Sequence, residues 1–170
     1  MKKTKLLVLL ICLLILTGCG KKMVTVSPSN IKSTDDLEKT EGSITCTRNA
    51  NIKGNATPSF KYYLSYKDGN ILVLHSVEKV TSDDQTLLDQ YENSYKTINE
   101  KYKNLEYYDT NVYRVNNSVT RDAVINYEKI DTDKLAKIES SSNDIVVNKK
   151  AKLNNWLDFV LKYGVTCDED

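Results

Sequence analysis

The sequence predicts an α+β fold, an antiparallel sheet of ββα-type units with helices packed on one face. Three observations carry this. Residues 60–67 alternate apolar or aromatic side chains (Phe60, Tyr62, Leu64, Tyr66) with Lys61, Tyr63, Ser65 and Lys67, then meet Asp68-Gly69. A period of two marks a half-buried strand, and the dipeptide accepts the positive φ angles of a two-residue hairpin turn. Leu87, Leu88, Tyr91, Tyr95, Ile98 and Tyr102 form one stripe at helical spacing, as expected for a helix lying on a sheet. A second strand pair and further helical stripes follow, so the order reads β, ββα, ββα, α and a short β end, which favours antiparallel pairing.

The elements follow in chain order. A short strand over residues 43–47 puts Ile44 and Cys46 on one side. The hairpin joins residues 60–67 to a return strand at 70–81. Ser82 or Asp83 is expected to cap the first helix, since a short oxygen-bearing side chain satisfies the free N–H groups there. Strands at 105–116 and 118–130 meet near Asn116-Asn117, and Thr132 is expected to cap a short helix through Leu135 and Ile138. The last helix carries Leu153, Trp156, Leu157, Val160 and Leu161 on one side and ends at Gly164, with Val165-Thr166-Cys167 as a terminal strand. Glu78-Lys79-Val80 before Ser82-Asp83 is echoed by Glu128-Lys129-Ile130 before Thr132-Asp133; in a chain this rich in Lys, Asn and Asp, coincidence explains the echo as well as two related ββα units do.

A chain of 170 residues with 40% hydrophobic side chains makes one core rather than two. The expected division is a cleaved signal peptide over residues 1–18, a lipidated N-terminus and flexible tether over 19–42, and a single α+β ectodomain over 43–170. Lys2, Lys3 and Lys5 precede an apolar run at residues 6–16, followed by the small residues Thr17 and Gly18, the three parts of a secretory signal. The apolar run is about half the roughly 20 residues a membrane span needs. The tetrapeptide Leu16-Thr17-Gly18-Cys19 resembles a bacterial lipobox. That resemblance implies a diacylglyceryl group on the Cys19 thiol, cleavage before Cys19, and a protein held by lipid on the extracytoplasmic face of the cell membrane. Two acyl chains together give stable anchoring where one gives only marginal binding. As a coil, residues 20–42 would span on the order of 25 Å, enough to lift the domain off the headgroups.

Removing the leader takes the 24 basic residues to 21 against 23 acidic ones. That balance gives no electrostatic case for nucleic acid as a partner. With Cys12 discarded and Cys19 lipidated, Cys46 and Cys167 are the two cysteines left of four. An oxidising compartment then favours a disulfide between them, closing a loop of 121 residues and joining the first strand to the last segment.

Glu100-Lys101-Tyr102-Lys103-Asn104-Leu105, the segment Ile125-Asn126-Tyr127-Glu128-Lys129-Ile130-Asp131 and the closing helix over 153–164 are similar to the YehR-type small bacterial lipoproteins, a domain-of-unknown-function family. The similarity spans residues 43–165. It implies the fold and the lipidated Cys19, and it carries over no catalytic or ligand residues. The Cys46 and Cys167 pair is not part of it.

Chemistry is sparse along the chain. His75, the single histidine, lies between Val73 and Val77 on an alternating strand, where a packed or edge imidazole is the expectation; no metal ligand set or nucleophilic triad is indicated. Asp83-Asp84 and Asp131 with Asp133 sit at helix starts, where carboxylates favour the positive end of the helix dipole. Asp168-Glu169-Asp170 is expected to be a free tail. None of the six glycines forms a phosphate loop, and no cofactor is implied. Tyrosine is the enriched resource, with eleven against two Phe. Most are expected to fill positions that Phe takes elsewhere. Tyr63 and one of the adjacent Tyr107 and Tyr108 are expected to face outward, which makes these three the candidate contacts for a ligand. The expected function is that of a non-enzymatic binding or accessory lipoprotein, touching the membrane through its lipid and an envelope protein or cell-wall polymer through its domain. The alternatives are a carboxylate-based hydrolase of wall material and a small-ligand carrier.

Overall fold

The computed structural model describes residues 41–49, 56–139 and 142–170, apart from the Asn143 side chain. The elements are β1 (Glu41–Asn49), β2 (Ala56–Lys67), β3 (Asn70–Ser82), α1 (Gln85–Glu100), β4 (Tyr108–Val115), β5 (Ser118–Asn126), α2 (Thr132–Ile138), α3 (Ser142–Ile145), β6 (Val146–Val147), β7 (Lys150–Ala151), α4 (Leu153–Leu161) and β8 (Thr166–Glu169). Six strands form one antiparallel sheet in the order β4-β5-β3-β2-β1-β8, and β6 and β7 form a separate ribbon.

Strand alternation sorts the sheet into two faces. One row of register partners crosses five strands as Ile44, Leu64, Leu74, Ile125 and Tyr108, all buried. This face receives the helices. Trp156 of α4 meets Tyr62 edge-on at 5.5 Å, Leu135 of α2 joins the same cluster, and Leu88 and Tyr95 of α1 pack with Ala56, Val80 and Val119.

The hairpin forms as expected. Asp68 and Gly69 both adopt positive φ, 50° and 68°, and the turn docks on the start of α4 through a Leu153 N–H to Gly69 carbonyl bond of 3.0 Å. Gly164 follows α4 at φ 74°, and β8 supplies the expected terminal strand.

Several boundaries differ from expectation, each for a local reason. β1 begins at Glu41 rather than residue 43, because Glu41 pairs with Lys67 across the ladder at 3.0 Å and Gly42 lies opposite Tyr66. The cap of α1 is Asp84, not Ser82 or Asp83. Ser82 is still in β3, and its hydroxyl accepts from the Asp84 N–H at 3.0 Å while the Asp84 carboxylate accepts from Leu87. Likewise Asp131 caps α2 through the Asp133 and Lys134 N–H groups, and Thr132 is buried as the first helical residue. The second strand pair is shorter at its outer ends: Tyr107 takes φ 66° just before β4, and residues 127–130 turn over the Asn126 carbonyl, which accepts from Ile130. The ribbon of β6 and β7 was not foreseen. It turns on Asn148 and Lys149 at positive φ without a glycine to announce it.

Candidate functional site

The sheet face opposite the helices carries the row Thr45, Tyr63, His75, Val124 and Asp109. His75 Nε2 lies 2.6 Å from Asp122 Oδ1, two residues along β5 from its register partner Val124 and so on the same face. The Tyr63 ring lies beside the imidazole, centroids 5.5 Å apart and planes 35° apart. The histidine is therefore a partnered residue of an open face, and no nucleophile bonds to it among the described residues. There, too, no three His, Cys, Asp or Glu side chains converge on a metal position, and no helix is long and apolar enough to cross a membrane.

The three candidate tyrosines part company. Tyr63 is 40% exposed on the open face, and Tyr107 is 48% exposed with the Lys129 ammonium 5.7 Å from its ring centre. Tyr108 turns inward, 8% exposed, and stacks on Tyr102 at 4.2 Å and 12°. It therefore leaves the outward-facing set. Two strands, β3 and β5, separate β2 from β4, so Tyr63 and Tyr107 do not make one surface.

Tyr108 belongs instead to a polar network that the sequence reading missed. Arg121 of β5 is buried on the helix-covered face. Its guanidinium donates to Glu78 Oε1 at 2.9 Å, to Asn99 Oδ1 at 2.9 Å and to the Tyr108 hydroxyl at 3.2 Å. The Tyr102 hydroxyl donates to Glu139. Burial pushes Glu78 above the ordinary carboxylate range despite the opposing Arg121 charge. Desolvation, with Glu78 adding to it, pushes the Tyr62 phenol up to about 12, and burial likewise raises Tyr95, Tyr102, Tyr108 and Tyr127. These phenols stay protonated and available as donors. The available signal was register: Glu78 and Arg121 occupy inward positions of two strands and face each other across the ladder, and a charge on an inward position demands a partner.

Beside this network runs a groove of about 430 Å³ between the C-terminal half of α1 and β4. Asn99 and Tyr108 lie along it with Asp109, Thr110, Asn111 and Val112, and Glu100 and two lysines complete its rim. The lysines are neutralised locally, Lys96 by Glu92 at 2.5 Å and Lys103 by Glu100 at 2.8 Å.

At the other sheet edge, Cys46 and Cys167 are register partners with sulfurs 2.01 Å apart. The terminal acids are not a free tail. Asp168 and Glu169 lie in β8, the Tyr66 hydroxyl donates to Glu169 Oε1 at 2.6 Å, and the Asp170 N–H bonds the Ser43 carbonyl at 3.0 Å. Cys19 and the signal segment lie outside the described residues.

These features define a small α+β domain with a one-sided helical cover, an open sheet face and a polar groove at one edge. The chain is similar to the solved structure of the YehR protein of E. coli, at 19% identity and TM-score 0.52, over 76% of this chain and 91% of that one. Its fold is YehR-like. A protein from Streptococcus pneumoniae TIGR4 matches at 17% identity and TM-score 0.45, over 91% of this chain and 98% of that one. No family model matches the chain, and no curated protein matches it significantly.

Proposed function

We propose that the chain is an envelope lipoprotein, held by lipid on Cys19 at the outer face of the cell membrane, whose domain is a non-enzymatic binding or accessory module. The observation that carries the binding part is the sidedness of the sheet. α1, α2 and α4 pack on one face, and the other presents Tyr63 and the His75 and Asp122 pair part-exposed to solvent. An amphipathic ring beside a polar pair provides contact area with fixed hydrogen-bonding groups. The lipobox-like Leu16-Thr17-Gly18-Cys19 supports the anchor.

The two parts separate experimentally. Metabolic labelling with a fatty acid should mark the wild type and not Cys19→Ala; label on the variant rejects the anchor. For the module, a photoreactive residue replacing Tyr63 should form defined adducts in the native membrane, whereas one replacing Asp158, exposed on α4, should not. Equal adducts from both positions reject the open face as the binding surface.

A second reading, a hydrolase of wall material, is favoured by one observation: Glu100 and Asp109 line the same groove. Release of reducing ends from purified walls, abolished by Glu100→Gln with Asp109→Asn, would establish it.

A further inference from the structure

We infer that the groove between α1 and β4 is a subsite for an uncharged, polyhydroxylated sugar unit of an envelope glycan; this rests on the reading of the domain as a binding module. Four observations carry it. The volume, about 430 Å³, falls within the range of small-ligand sites, roughly 300–1,000 Å³. The lining is polar apart from Val112 and the Tyr108 ring, so it suits a ligand that brings hydroxyls rather than an apolar body.

The lining carries two cations, Lys96 and Lys103, against two acids, Glu100 and Asp109, and each lysine is already ion-paired, Lys96 with Glu92 and Lys103 with Glu100. The groove therefore selects neither an anion nor a cation by net charge.

The floor is built in advance. Arginine only donates, so the Asn99 oxygen must face Arg121. Its amide N–H groups then have no partner among the described residues. The Tyr108 hydroxyl accepts from Arg121 and keeps its own proton for another acceptor. Arg121 is itself held by Glu78, and the Tyr108 ring by its stack on Tyr102, so Asn99 and Tyr108 are fixed in position before any ligand arrives. Thr110 adds a hydroxyl on the same side of β4 as Tyr108, and Asp109 and Asn111 border the groove from the other side of that edge strand. Donors and acceptors side by side match a sugar, whose hydroxyls both give and take hydrogen bonds, and a pre-set floor lowers the ordering cost of binding.

The test is calorimetric titration of the full chain, purified in a detergent without a sugar headgroup, with a neutral β-1,4-linked N-acetylglucosamine tetrasaccharide and with glycerol phosphate as the anionic comparison. Tyr108→Phe removes one hydroxyl and keeps the ring stack. Asn99→Asp keeps the acceptor for Arg121 and removes the amide donors. Each variant should bind the tetrasaccharide about 5- to 10-fold more weakly, the effect of one lost hydrogen bond, while Asp158→Ala, on the exposed side of α4, binds as the wild type does and glycerol phosphate does not bind. Equal affinity in wild type and both groove variants overturns the subsite, as does equal binding of glycerol phosphate. Loss confined to Tyr63→Ala overturns it by moving the glycan to the open face. Absence of tetrasaccharide binding while Tyr63 still forms adducts in the membrane overturns the subsite and leaves the binding module standing.

Discussion

Cys46 of β1 lies directly opposite Cys167 of β8, Cα to Cα 4.0 Å, and the bond between them closes a loop of 121 residues. β8 is a four-residue edge strand that pairs with β1 alone, so the cross-link holds the end of the chain onto the sheet. On the chain-entropy account, a loop of this length stabilises by roughly 4 to 5 kcal/mol. Cys46→Ser with Cys167→Ser should lose most of that in a denaturant melt, and the β8 amides should lose hydrogen-exchange protection before the rest of the sheet. Intact mass after alkylation checks the bond itself: uptake of two alkyl groups without reductant would show that it is absent.

Gly42 and Tyr66 make a second close relationship at the same edge. A Cβ on Gly42 would lie 2.8 Å from the Tyr66 hydroxyl oxygen, and that ring is fully buried with its hydroxyl on Glu169. Gly42→Ala should therefore destabilise by about 1 to 3 kcal/mol through overpacking. In Gly42→Ala combined with Tyr66→Phe, the nearest contact is gone and the penalty of the alanine should shrink. A melt of the four members of this cycle decides it.

Arg121 links three acceptors from three elements, Glu78, Asn99 and Tyr108. Arg121→Leu strands the Glu78 carboxylate and should cost about 3 kcal/mol, the lower end for breaking a buried pair because Glu78 keeps 23% side-chain exposure. Arg121→Lys should recover only part of this, since one ammonium does not reproduce the planar fork. Glu78→Leu with Arg121→Leu should be far milder than Arg121→Leu alone. A double variant as damaging as the single one would show that packing, not the stranded charge, sets the cost.

The same glutamate gives a signed pH dependence. Burial raises Glu78 above its ordinary value of 4.5, so the fold favours its protonated form. Its contribution is fully present below the unfolded value and is lost as pH rises through the folded one. Stability of the wild type relative to Glu78→Gln should therefore fall as pH rises from about 4, and then level off. Thermal melts of both proteins across that range test the sign; a difference that grows with pH would mean that the Arg121 charge outweighs burial.

Local signals read well from the chain. The β2 and β3 hairpin rests on eight alternating residues and Asp68-Gly69, all near neighbours in sequence, and it forms where expected. The α1 stripe was also plain, yet its cap shifted to Asp84 because β3 runs on to Ser82. Which of Tyr107 and Tyr108 points outward was undecided. It is settled by the positive φ of Tyr107, a backbone choice that side-chain identity does not announce. The groove was invisible, since its lining comes from the end of α1 and from β4, two segments whose meeting no local pattern announces.

By itself, the sequence determined the α+β class, the hairpin, the helical stripes and the two cysteines available for a bridge, because each depends on periodicity, turn chemistry or a count. Only the tertiary structure decided the strand order β4-β5-β3-β2-β1-β8, the burial of Tyr108 and Arg121, and the meeting of α1 with β4 along a polar groove. Those follow from how distant segments pack, where a buried charge must find its partners across the sheet rather than along the chain.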